Sequence, residues 1–322
     1  MPILIREKYW ILETAQTAYA FGVTPRGRLV HSYWGARLPF PEDYPIPHDT
    51  DGWASFNGPG HALPEEYPAY AGPNYGEPCL KATFADGVRD TVLQFVDTEI
   101  TTGELPEVRV TLRDVAYPLA VVLCYRVHAQ HDLIERWVEL TNTGTTPVTL
   151  ERVWSALWRL PWGEEYRLSH VFGRWFEEWQ LRREVLQPGV KVKESRRITT
   201  SHNASPWFAI DRGNADEDQG AVWFGVLAWG GNWKLAAEVT ESGATRLGIG
   251  LNDWDFAWRL MPGETFTTPA SLAGYTANGF GAASRTLHDY AREHLPHGQR
   301  LHPVLYNSWE AVFFDVNEAS QM

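Results

Sequence analysis

Alternation of apolar and polar residues runs through most of the chain. Val108-Arg109-Val110-Thr111-Leu112 alternates strictly, Leu119 to Val127 is a mostly apolar run rich in valine, and Leu133-Ile134-Glu135-Arg136-Trp137-Val138-Glu139-Leu140 alternates again. Successive side chains on an extended strand point to opposite faces, so these runs predict strands. Asn142-Thr143-Gly144 then separates the third run from Pro147-Val148-Thr149-Leu150-Glu151-Arg152-Val153. Two strand signals about such a turn predict a hairpin. Ala221 to Trp229, Trp233 to Val239, Arg246 to Leu251 and Thr265 to Thr276 continue the pattern, punctuated by Gly230-Gly231 and Gly243. The spacing predicts a mainly β fold, a large antiparallel β-sandwich.

Two regions break the rhythm. Residues 39–78 carry recurrent Pro and Gly, with Asp43, Asp49, Asp51, Trp53, Phe56, Tyr67, Tyr70 and Tyr75 among them. A loop this long in a compact domain is usually functional or disordered, and its aromatic content argues against disorder. From Gly281 to Leu295 the pattern changes to helical spacing (Ala283, Leu287, Tyr290, Ala291, His294), and Pro296 ends it, which predicts one amphipathic helix. A basic, proline-containing link follows to Pro303, and Val304-Leu305-Tyr306 reads as a short strand. No internal repeat is visible.

Composition narrows the function classes. The 322 residues are 44% hydrophobic and 21% charged, with a net charge of −12. Nucleic-acid binding needs a concentrated basic surface. The densest basic stretch (Arg182, Arg183, Lys191, Lys193, Arg196, Arg197) is interleaved with Glu184 and Glu194 and reads as a solvated strand pair. No apolar run approaches the roughly 18 residues of a membrane span. The start, Met1 to Lys8, places apolar residues before charges, the reverse of a secretory signal, so a cytoplasmic location is expected. Cys79 and Cys124 fit a reducing compartment and make no metal site. His128 with His131, and His288 with His294, lack the spacing that sets two rings on one helical face. No metal and no cofactor is expected. The 16 Trp, 13 Tyr and 14 Phe fill a large core or offer flat apolar faces with polar tips, a surface on which sugars stack.

Four segments, in order along the chain, carry a resemblance. Leu63-Pro64-Glu65-Glu66-Tyr67-Pro68 is similar to a Pro-Gln-Glu-Tyr-Pro loop, and Ser201-His202-Asn203 with Trp207-Phe208-Ala209-Ile210 to a second stretch of the same family. Gly263-Glu264-Thr265-Phe266-Thr267-Thr268-Pro269 resembles the strand before that family's linker helix. Pro303-Val304-Leu305-Tyr306-Asn307-Ser308-Trp309-Glu310 and its continuation to Glu318 resemble the opening of its catalytic (β/α)8 barrel. The family is glycoside hydrolase family 36, the α-galactosidases. The resemblance implies a sandwich over residues 1–280, a linker helix and connector over 281–302, and the first strand of a truncated barrel over 303–322. One departure stands out. Where the family shows an acid and an arginine ahead of its Glu-Pro pair, this chain has Asn74 and Gly76.

Retaining glycosidases need two carboxyl groups about 5–5.5 Å apart, and the family places them on later barrel strands. Its Asp-Asp-Gly-Trp and Lys-Trp-Asp segments are absent, and Asn252-Asp253-Trp254-Asp255 reads as a turn. Glu65 and Glu66 are adjacent on an extended chain and point opposite ways. No catalytic residue is therefore assigned, and the chain alone is expected to be inactive. The resemblance implies that it supplies scaffold, oligomer interface and part of a sugar subsite for an α-galactoside oligosaccharide, together with a catalytic barrel. Trp309, Trp53, Tyr67, Tyr70 and Tyr75 are the candidates for substrate contact, each with ordinary packing as the competing explanation. The alternative is a stand-alone carbohydrate-binding or structural module. A mutarotase-like sandwich is a third reading that no motif supports.

Overall fold

The computed structural model describes every residue except Met1, Asp51, 53–57, Pro59, Pro73 and Glu164. Three antiparallel sheets make up the first of two compact units, which ends at Thr286. The N-terminal sheet is a meander of β1 (Ile3–Arg6), β2 (Tyr9–Glu13), β3 (Thr17–Val23) and β4 (Leu29–Ala36). After the long loop come β5 (Leu80–Thr83), β6 (Leu93–Thr101), β7 (Glu107–Asp114), β8 (Leu119–His128) and β9 (Leu133–Asn142). Then follow β10 (Val148–Arg159), β11 (Arg167–Arg174), β12 (Glu177–Val185), β13 (Gly189–Ser195), β14 (Trp207–Asp211) and β15 (Val222–Leu227). The series closes with β16 (Trp233–Val239), β17 (Thr245–Leu251), β18 (Trp258–Leu260), β19 (Thr265–Thr267) and β20 (Ser271–Thr276). A 10-stranded sheet runs β12-β11-β14-β15-β20-β9-β8-β7-β6, with β19 also on β9. A 6-stranded sheet runs β13-β16-β17-β10-β18, with β5 on β10.

The strands form where alternation predicts them. Along β9 every second residue is buried, and β7 shows the same period. The sheets bury one continuous aromatic core. Phe21 stacks on Tyr125 at 4.3 Å between ring centres, and Trp34 lies 5.0 Å from Trp158. Burying each such ring stabilises the fold by roughly 1.5–3 kcal/mol, while a second set of aromatic residues, Trp162, Trp175, Trp179 and Trp254 among them, is exposed.

The predicted hairpin about Asn142 does not form. β9 has β8 on one edge and β19 and β20 on the other, so no edge remains for β10. The chain leaves the 10-stranded sheet at this turn, and β10 becomes the centre of the facing sheet. Asn142 makes the switch: its amide donates to the carbonyls of Thr146 at 2.8 Å and Leu260 at 3.0 Å, and its carbonyl accepts from Gly144 N–H. The basic stretch is likewise not a pair of partnered strands. β12 pairs with β11 and β13 with β16, in different sheets, and Glu184 joins them by ion pairs to Lys191 and Lys193.

Gly279–His294 forms the predicted helix, α1. The second unit, Leu287–Met322, holds the C-terminal part of α1 and two single turns, α2 (Trp309–Val312) and α3 (Glu318–Gln321). Val304-Leu305-Tyr306 is irregular and exposed rather than a strand. An isolated strand leaves its own backbone groups unpaired and forms only beside a neighbour. Among the described residues no helix is long and apolar enough to cross a membrane.

Candidate functional site

The long loop is pinned at both sides by main-chain bonds. His31 N–H donates to Pro64 carbonyl at 2.8 Å and Glu66 N–H to Leu29 carbonyl at 3.1 Å, tying the loop to β4. Cys79 and Pro68, and Tyr70 and Leu80, tie its far end to the start of β5. Between these anchors Glu65 and Glu66 part company, as adjacent residues on an extended chain must. Glu65 turns to Arg28. Glu66 goes inward and is fully buried.

Glu66 is the hub of the interior. Its Oε1 accepts from Tyr19 Oη at 2.6 Å and Tyr125 Oη at 2.9 Å, and Arg136 Nη2 lies 2.6 Å away. Arg136 also donates to Leu157 carbonyl at 2.8 Å, and its guanidinium lies 4.7–5.1 Å from the rings of Tyr19, Tyr125 and Trp158. These partners come from all three sheets. Burial pushes the Glu66 carboxyl up, and Arg136 with the two tyrosine bonds works against it. The adjoining His31, 3.7 Å from Glu66, is held well below the usual histidine range, first by burial and then by Arg159 and Arg136.

Beyond this hub the loop closes over two cavities that share Ala62, Arg159, Ser242 and Ala244 in their walls. The smaller, about 250 Å³, is lined by His61, Asn74, Tyr75 and Gly76 from the loop and by Glu238, Glu241 and Arg246 from the β16–β17 hairpin. The larger, about 640 Å³, runs past His31, Tyr33 and Ile46 to the exposed Trp162. Arg159 stands between them. It is buried, its Nε has no hydrogen-bond partner, and its one side-chain bond is a long 3.4 Å contact to Glu65 carbonyl. Among the described residues no carboxylate pairs with it. Burial and the neighbouring Arg246 push its guanidinium down to about 10. The Glu66 and Glu65 carboxylates act against that burial, and Arg159 is shared by the walls of both cavities. By contrast, Glu238 is committed to Arg246, 2.6 Å away, and Glu241 to His61.

The two departures from the family pattern acquire a structural reason here. A Cβ at Gly76 would fall inside the Arg246 guanidinium and close to Glu238 Oε1. A side chain here would have to displace the Arg246 guanidinium, so glycine leaves room for the arginine from β17. Asn74 keeps the turn: its side-chain oxygen accepts from Gly76 N–H at 3.1 Å.

Of Tyr67, Tyr70 and Tyr75, Tyr75 alone lines the loop cavity. Tyr75 is 74% exposed, lines the smaller cavity and stands 5.5 Å from the His61 ring. Tyr70 is partly exposed, with Lys81 and Arg89 over its ring at 5.4 and 5.1 Å. Tyr67 is a core residue: its ring is buried and its hydroxyl donates to Trp154 carbonyl at 2.9 Å. Trp309 belongs to the second unit, half-exposed against Phe313 and Phe314. Trp53 lies outside the described residues. Sequence reasoning missed Arg159, Glu238 and Arg246. One signal was available: Arg159 sits among Leu157, Trp158 and Leu160, and a charge inside an apolar strand run marks a buried polar site.

This fold and loop define the class. Residues 27–261 match the Glycosyl hydrolase family 36 N-terminal domain, and residues 265–322 match Melibiase. The chain belongs to glycosyl hydrolase family 36. It is 30% identical to alpha-galactosidase AgaA of Geobacillus stearothermophilus, over 97% of this chain and 46% of that protein. It is 32% identical to the bifunctional alpha-galactosidase/sucrose kinase AgaSK of Mediterraneibacter gnavus, over 96% and 36%. The chain thus spans under half the length of these relatives. The solved galactosidase domain of AgaSK superposes with a TM-score of 0.90 at 30% identity, over 99% of this chain and 48% of that one. A variant of the Geobacillus enzyme solved in complex with raffinose gives 0.88 at 29% identity, over 98% and 47%.

Proposed function

We propose that this chain is the non-catalytic N-terminal part of a retaining α-galactosidase, working with a (β/α)8 barrel that carries the catalytic carboxyl groups. Its share is scaffold, oligomer interface and one wall of a subsite for terminal α-galactosides of the raffinose kind. The observation that carries the reading is the family match over nearly the whole chain, joined to a cavity whose carboxylates are already paired. A double displacement needs one carboxylate free to attack and one carboxyl holding a proton. Glu238 and Glu241 are each tied to a base. What the loop cavity does offer is binding chemistry: the Tyr75 ring as a stacking face, the Arg159 guanidinium in its wall, and the Thr240 and Ser242 hydroxyls. Trp309 and Tyr70 are further contacts under this reading, and the buried free thiols of Cys79 and Cys124 fit a cytoplasmic setting.

Hydrolysis of a chromogenic α-galactoside tests this. The purified chain should give no turnover alone, and turnover should appear when a separately expressed barrel of a relative is added. Turnover by the chain alone that survives repurification would overturn the proposal. Failure of complementation despite physical association would favour a stand-alone binding module.

A further inference from the structure

The β16–β17 hairpin has the loop cavity at its turn, around residues 240–244. At its opposite end, beside Asn232 and Leu251, lies a separate cleft of about 700 Å³. The strand rise of about 3.3 Å per residue sets the two roughly 20–25 Å apart. The cleft shares no lining residue with the loop cavity. We infer that it is a second saccharide-binding site, taking a neutral oligosaccharide.

Three tryptophans that a soluble surface would ordinarily hide wall this cleft: Trp229, Trp254 and Trp258, at 44%, 61% and 48% exposure. Each is held in place by a neighbour. The Arg196 guanidinium lies 3.8 Å over the Trp254 ring and is itself ion-paired with Glu194. Arg196 is not among the cleft-lining residues, so it covers the outer face of that ring and leaves the other to the cleft. Trp258 packs on Phe266 at 5.4 Å, and Phe256 on the same ring at 6.1 Å. Trp229 folds over Gly231, where a Cβ would lie 2.7 Å from its Nε1, so Gly231 is what lets the indole lie flat against its own turn. Fixed rings lose little freedom on binding.

Between the rings stand polar groups with hydrogen bonds to spare. The Asp255 and Thr267 side chains line the cleft, and no partner for either is found among the described residues. The Asn232 side-chain oxygen accepts from Ile198 N–H at 2.6 Å, and no partner for its amide group is found among the described residues. Asn252, by contrast, is saturated and serves the turn. Flat apolar faces alternating with hydrogen-bonding groups match the C–H faces and hydroxyl edges of a pyranose. An apolar ligand or peptide face would strip water from the Asp255 carboxylate without replacing it. The rings come from the β15–β16 connection, the β17–β18 turn and the start of β18, and several separate faces favour an oligosaccharide over a monosaccharide.

Titration of the 322-residue chain with stachyose and raffinose tests this, by calorimetry and by the indole N–H resonances of Trp254 and Trp258. Binding should shift both resonances. Trp254→Ala and Trp258→Ala should each weaken it about tenfold, the scale of losing one aromatic partner. Trp254→Phe, which keeps a flat face, should retain most of it. Trp175→Ala, at an exposed tryptophan outside both the cleft and the loop cavity, should leave it unchanged. Because the tryptophans are exposed, the variants should melt with wild type, and Thr267→Val offers a weaker-binding variant that leaves every ring in place. No binding of either sugar, or binding that ignores Trp254 and Trp258, would overturn the inference. Neither result would touch the complementation outcome.

Discussion

Three residues show how single side chains set the interior. Glu66 is the first. Removing either end of its pair leaves a buried charge alone, so Arg136→Met should destabilise the sandwich by about 3–5 kcal/mol, measured by denaturant unfolding. Gly76 is the second. Restoring the family's arginine, Gly76→Arg, should cost about 1–3 kcal/mol through collision with Arg246, and Arg246→Ala in the same chain should recover part of that loss. A purely additive double mutant would show that the two positions do not compete for one space. His31 is the third. Its folded value lies below 6.5, so on acidification the unfolded chain takes up a proton that the native state refuses. Its contribution to stability is complete above about pH 6.5 and is lost as pH falls below it. Glu66, pushed upward, works in the opposite sense, so the test is a difference. His31→Gln should melt with a shallower pH dependence than wild type between about pH 5 and 6.5.

At the scale of elements the decisive feature is β10. It leaves the sheet of its sequence neighbour, crosses the sandwich and becomes the strand on which β5, β17 and β18 pair. Its partner β17 carries Gly248 and Gly250 against it. A Cβ at Gly248 would enter the Trp154 ring, and one at Gly250 would lie 2.6 Å from Trp154 Cα. Gly248→Ala should therefore cost about 1–3 kcal/mol by overpacking, read as a fall in melting temperature. The same change at the exposed turn residue Gly230, where a Cβ meets nothing within 4 Å, should change it little. The β16–β17 hairpin is the other element that matters for function. Its turn closes the loop cavity and its open end frames the tryptophan cleft, so one rigid ribbon positions both.

For the molecule as a whole, the interior is continuous from the N-terminal sheet through both larger sheets, and the two cysteines report on it. Cys79 and Cys124 are buried and free, and burial pushes the Cys79 thiol up to about 12 and the Cys124 thiol upward as well. A thiolate is the reactive form, so an aromatic disulfide reagent should leave both untouched in the native protein. Both should react as denaturant opens the fold, with rates that follow global unfolding. Fast reaction of either under native conditions would point to local opening of its strand.

The period of apolar residues was enough to locate the strands β7 to β10 and β15 to β17, the helix and the long loop, because alternation and helical spacing are local consequences of backbone geometry. Ordered motifs were enough to place the family. Neither could show that β9 and β10 part at Asn142, since edge availability depends on strands more than a hundred residues away, at Thr265 and Ser271. Nor could local pattern separate Tyr67 from Tyr75, two tyrosines of one loop, of which one is core and one faces a cavity. The same limit applies to Arg246 in the space above Gly76 and to Glu66 between three sheets. Each depends on partners far apart in the chain, and only packing brings such partners within hydrogen-bond range.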